Sequence, residues 1–74
     1  MTAARPDRLI YMANQIARFF AAQPERAAGA ANHLRSFWDP AMRTELIVWR
    51  EGGGEGLDPL AAEAVDLLRA PIAQ

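Results

Sequence analysis

Four prolines, Pro6, Pro24, Pro40 and Pro59, divide this 74-residue chain into segments, and each precedes a stretch rich in Ala, Leu, Arg and Glu. Those residue types favour helix. Proline is excluded from a helix interior but is tolerated in the first turn, where its missing N–H has no intrahelical partner to lose. Asp39 and Asp58 stand directly before Pro40 and Pro59, where a carboxylate can accept from the unpaired N–H groups of the first turn. Gly52, Gly53 and Gly54 end the third segment and Pro71 ends the fourth; glycine accepts the left-handed conformation that closes a helix. The spacing predicts helices over about 7–22, 24–37, 40–51 and 59–70. β-Branched alternation is missing, so strands are not expected. The fold class is all-α: one small domain over residues 1–74, a bundle of three to four short helices with short Pro/Gly-punctuated connections.

Periodicity assigns a buried face to each helix. The first carries Leu9, Met12, Ala13, Ile16, Phe19 and Phe20, with Asp7, Asn14, Gln15 and Arg18 on the opposite side. The second has Ala27, Ala31, Leu34 and Trp38 on one stripe, with Ala30 and Phe37 beside it, and its run of small residues 27–31 admits a second backbone at close range. The third presents Met42, Leu46 and Trp49, and the fourth Leu60, Ala64, Leu67 and Leu68. The stretch 52–56 reads as a flexible five-residue connection.

Composition then limits the function. Half of the chain (51%) is hydrophobic, but 16 of those 38 residues are alanine, so the core is small and a partner is expected to complete it. Net charge is −1 with a pI near 5.7, against the basic excess of a nucleic-acid binder. The chain has no cysteine, which excludes a disulfide framework, a cysteine-ligated zinc or iron–sulfur site and a thiol nucleophile. No apolar run approaches the roughly 20 residues of a membrane helix. The N-terminal stretch lacks the apolar core of a signal peptide. A cytoplasmic protein without nucleic-acid or membrane partners is expected.

The inventory for catalysis is thin. His33 is the single histidine, and Ser36 lies three positions on, close on a helix, but no third group is placed to orient the imidazole. His33 is read as a packing or hydrogen-bonding residue. A metal would need more ligands than His33 and Asp39, so neither a metal nor a catalytic residue is expected. The glycine loop lacks the Lys-Ser/Thr of a P-loop and the preceding strand of a dinucleotide fingerprint. It reads as a helix stop and hinge, with docking through its exposed backbone N–H groups as the alternative.

The densest stretch is His33-Leu34-Arg35-Ser36-Phe37-Trp38-Asp39-Pro40-Ala41-Met42-Arg43. Adjacent aromatics point about 100° apart on a helix. One of Phe37 and Trp38 is expected to enter the core while the other faces outward or bridges to the next helix; a plain staple of the corner between helices is the other reading, and the two are compatible. Aromatic residues and arginine are the types enriched at interface hot spots. The expected partner interface is therefore His33, Arg35, Phe37, Trp38, Asp39, Pro40, Met42 and Arg43, joined by the loop glycines Gly52, Gly53, Gly54 and Gly56.

Three blocks carry a family resemblance: Met12-Ala13-Asn14-Gln15-Ile16-Ala17-Arg18-Phe19-Phe20, the stretch 33–43 just quoted, and Gly56-Leu57-Asp58-Pro59-Leu60. In order and spacing they resemble the delta subunit of the NAD-dependent, molybdenum-containing formate dehydrogenase, over about residues 9–65. Phe-Trp-Asp-Pro-x-Met-Arg is the most specific block; this chain departs from the family pattern at Ala41, where an arginine is common. The resemblance implies a non-catalytic accessory subunit that docks on the catalytic alpha subunit, with beta and gamma subunits in the same complex. It places molybdopterin guanine dinucleotide, iron–sulfur clusters and FMN on those other subunits and no cofactor on this chain. Its role there is assembly, stability or cofactor retention. A transient chaperone for molybdenum-cofactor insertion is the alternative, and a free-standing helical regulator or homodimer is the second.

Overall fold

The computed structural model describes residues 5–69. Four helices follow in order: α1 (Asp7–Phe20), α2 (Arg26–Phe37), α3 (Pro40–Glu51) and α4 (Pro59–Arg69). The all-α expectation holds; the expected stop at Pro71 lies outside the described residues.

The prolines divide into two kinds. Pro40 and Pro59 occupy first helical positions, and the Asp39 carboxylate accepts from the Met42 N–H at 2.9 Å, as an N-cap should. Pro6 instead sits one residue before α1, where its carbonyl accepts from Ile10 at 2.9 Å. Pro24 does not begin α2. It occupies the second position of a turn closed by Arg26 N–H on the Gln23 carbonyl at 3.3 Å, a position for which its fixed φ is suited.

α4 is the hub, packing against all three other helices, most extensively against α2. The α2–α4 contact is built on Ala30, Ala31 and Ala64, flanked by Ile16, Phe20 and Leu68, so the run of small residues does admit a close neighbour. The larger core joins Leu9, Ile10, Leu34, Trp38, Leu46 and Val65 with smaller residues, and Leu34, Leu46 and Val65 are its largest fully buried side chains.

Two predicted faces are rotated. In α1 the buried residues are Leu9, Ile10, Ala13 and Ala17, so Ile10 and Ala17 are inside and Phe19 is 68% exposed. In α4 Ala61, Ala64 and Val65 are buried and Leu67 is exposed. In both, alanines at the centre of the stripe bring the helices together and displace larger side chains toward the rim.

Candidate interaction surface

The corner between α2 and α3 separates its two aromatics completely. Trp38, at the C-cap of α2 with extended backbone (φ −93°, ψ 141°), turns inward and is 6% exposed. Phe37, the last residue of the helix proper, is 74% exposed. Trp38 is thus the aromatic that enters the core, and Phe37 the one that faces outward. Met42 packs half-buried against the core. Arg43 is half-buried as well, and its Nε is enclosed without a hydrogen-bond partner.

Phe37 belongs to an aromatic strip that crosses from α1 to α2. The rings of Phe19 and Phe20 meet edge to face with centroids 5.1 Å apart. Phe20 lies 6.1 Å from His33, and His33 lies 4.6 Å from Phe37 at an interplanar angle of 37°. Gly29 lets Phe20 lie flat on α2: a Cβ there would stand 2.7 Å from Phe20 Cδ1. Along α1 the strip continues through Gln15 to Tyr11, whose hydroxyl accepts from Gln15 Nε2 at 3.1 Å. Tyr11 is 62% exposed. Gln15, Ile16, Phe19, Phe20 and His33 enclose a shallow hollow of about 300 Å³. Scattered exposed apolar residues are ordinary; here the exposed rings of Phe19 and Phe37 lie at the two ends of one connected aromatic strip, with Phe20 and His33 half-buried between them.

Among the other expected interface residues, some make contacts within the fold and others are exposed. Arg35 donates to Asn32 Oδ1 and to the Leu67 carbonyl, each at 2.9 Å, tying α2 to the last turn of α4. Asp39 is engaged in its cap and Pro40 is exposed. The glycine loop is held rather than flexible: Trp49 Nε1 donates to the Glu55 carbonyl at 2.8 Å, and Asn14 Nδ2 to the Gly56 carbonyl at 2.9 Å. Gly53, Gly54 and Gly56 have φ of 128°, 69° and 91°, the left-handed region glycine accepts. Gly54 is buried, while Gly52, Gly53 and Gly56 are exposed.

His33 is a stacking residue between Phe20 and Phe37, and Ser36 is exposed. Among the described residues no group of three His, Cys, Asp or Glu side chains is placed to hold a metal ion, and no helix is long and apolar enough to cross a membrane. Helical periodicity passes over Tyr11 and puts Phe19 inside, whereas Phe20 does pack, half-buried, against the alanine core. The available signal was Ala17: a central alanine stripe defined by Ala13 and Ala17 forces the phenylalanines to its edge.

The family model described as NADH-dependent formate dehydrogenase delta subunit FdsD matches residues 8–65. No curated protein and no solved structure matches the chain.

Proposed function

Because the chain belongs to the delta-subunit family of NADH-dependent formate dehydrogenase, we propose that it is a non-catalytic accessory subunit of that complex and works by docking on the large catalytic subunit. The observation that carries the docking role is the strip Phe19–Phe20–His33–Phe37, an ordered aromatic surface on a chain with a small alanine-rich core. Covering it removes aromatic area from water and extends a small, alanine-rich core. Molybdopterin guanine dinucleotide, iron–sulfur clusters and FMN are assigned to the other subunits, in keeping with a cytoplasmic, NAD-linked enzyme. The role of this chain is to stabilise the assembled catalytic subunit.

The test is recovery of an affinity-tagged chain from its native host. The expected result is a large molybdenum- and iron–sulfur-bearing subunit in fixed ratio, with formate-dependent reduction of NAD⁺. Phe19→Ser with Phe37→Ser should release that subunit. A chain that is recovered alone under conditions where the enzyme is made would overturn the reading.

A further inference from the structure

Charge is unevenly divided between the two halves of the chain, and the aromatic strip lies within the cationic half. Residues 8–38, which span nearly all of α1 and α2, hold four arginines and one carboxylate, Glu25. Residues 39–69 hold seven carboxylates and three arginines. Formal charge is therefore about +3 on the half that carries the strip and −4 on the other. Beyond Asp7 at its start, neither α1 nor α2 contains an acidic residue.

Two of the arginines share helix faces with the strip, Arg8 at a hollow that Asp7 and Glu45 also line and Arg26 at one that Glu25 and Glu63 line. Arg8, Tyr11, Gln15 and Phe19 follow one another at spacings of three, four and four, and so do Arg26, Gly29, His33 and Phe37. Residues at that spacing share one helix face, so each stripe begins with an arginine. Both arginines are exposed. The ion pairs among the described residues engage Arg5, Arg18, Arg50 and Arg69, and neither Arg8 nor Arg26 takes part in one.

Resting on the accessory-subunit reading, we propose that the strip is covered in the complex by an acidic amphipathic segment of the catalytic subunit. Its apolar side chains fill the hollow between Ile16, Phe19, Phe20 and His33, and its carboxylates pair with Arg8 and Arg26. Apolar burial supplies the affinity, and the two arginines fix register and speed the encounter. A second copy of this chain docked symmetrically would set the cationic face against itself, so the charge distribution disfavours it. A nucleic-acid strand would neutralise the arginines, yet it would leave acidic α3 and α4 beside its phosphates.

The experiment measures binding of the purified chain to the enzyme prepared from cells that lack it, at about 0.1 M and about 1 M salt. The variant is Arg8→Glu with Arg26→Glu. Both positions lie in the first turn of a helix, where a carboxylate suits the helix dipole, so the fold is retained. The expected result is affinity about tenfold weaker at low salt, with the difference from wild type closing at high salt as screening removes the charge contribution. Unchanged affinity in this variant, alongside weakened binding by Phe19→Ser and Phe37→Ser, would overturn the acidic occupant and leave the accessory reading standing. Failure of the wild-type chain to bind the enzyme would overturn both. Self-association abolished by Phe37→Ser, or retention of RNA or DNA abolished by Arg8→Glu with Arg26→Glu, would also overturn it.

Discussion

Asn14 and Asp58, 44 positions apart, are joined by a hydrogen bond in which Asn14 Oδ1 accepts from the Asp58 N–H at 2.8 Å. The same amide donates through Nδ2 to the Gly56 carbonyl at 2.9 Å. One side chain on α1 thus satisfies the backbone on both sides of Leu57 and fixes where α4 begins. Asp58 is held a second time by Arg18, whose Nε stands 3.5 Å from its carboxylate.

Asn14→Ala should therefore destabilise the fold by about 1–3 kcal/mol, since it leaves a partly buried N–H and a carbonyl without partners. Asn14→Asp retains the acceptor but loses the donor, and it places negative charge against the Gly56 carbonyl. It should be no better tolerated at neutral pH. Urea unfolding of the two variants checks both statements; wild-type midpoints would disprove the tie.

Phe37 and Trp38 should respond in opposite ways to truncation. Trp38→Ala removes a side chain from the middle of the main core, and changes of that kind cost about 3–5 kcal/mol. That is a large part of what a domain this size possesses, so loss of complex in this variant would report unfolding rather than a lost contact. Phe37→Ala should change stability by less than about 0.5 kcal/mol while weakening association. Circular-dichroism melts run beside the binding assay separate the two.

How far the sequence carries toward this picture is clear from these neighbours. The helix count, the Asp39 cap and the glycine stop follow from local chemistry, which is written within a few residues. The division of labour between Phe37 and Trp38 is not local: it depends on the extended backbone at Trp38 and on the position of Leu34 and Leu46 around it. Asn14 reads as a solvent-facing polar residue in the helix pattern, because its partners lie more than 40 positions away. The aromatic strip was hidden for the opposite reason. Large apolar residues at Phe19 and Phe20 look like core, and only the choice of Ala13 and Ala17 as the innermost positions moves Phe19 out to solvent and leaves Phe20 half-buried at the rim.

Two glycines of the same loop should differ sharply on substitution. Gly52 has φ −85°, and a methyl group added there would make ordinary van der Waals contact, 3.7 Å from the Trp49 carbonyl oxygen. Gly52→Ala should be neutral or stabilising by up to about 1 kcal/mol, through reduced freedom of the unfolded chain. Gly54 has φ +69°, and a Cβ there would stand 2.9 Å from Arg50 Cδ. Gly54→Ala should destabilise by about 1–2 kcal/mol from the left-handed backbone alone, with further loss as Arg50 is pushed from its place. Equal unfolding midpoints for the two variants would contradict the assignment.

The displaced arginine matters because Arg50 carries the α3–α4 ion pair. Its Nε and Nη2 donate to Asp66 Oδ1 and Oδ2, each at 3.0 Å, and Arg69 Nη2 approaches Oδ1 at 3.8 Å. The hydrogen bonds from Arg50 hold the Asp66 carboxyl below the usual carboxylate range; partial burial opposes this, and the charges of Arg50 and Arg69 add to it. The same pair raises the Arg50 guanidinium above its ordinary value, so it stays protonated throughout the accessible range. A carboxyl depressed in the fold binds fewer protons folded than unfolded. Its stabilisation is therefore complete above the unfolded value of about 3.9 and is lost as pH falls through the lower folded value. Asp66→Asn keeps the shape and removes the charge. Urea midpoints of wild type and Asp66→Asn should differ by a constant amount from pH 7 to about pH 5, and the gap should close in stronger acid. Salt should narrow it at neutral pH, because both side chains are about one-third exposed. A gap that stays constant down to about pH 2 would mean that the pair contributes through packing and not through charge.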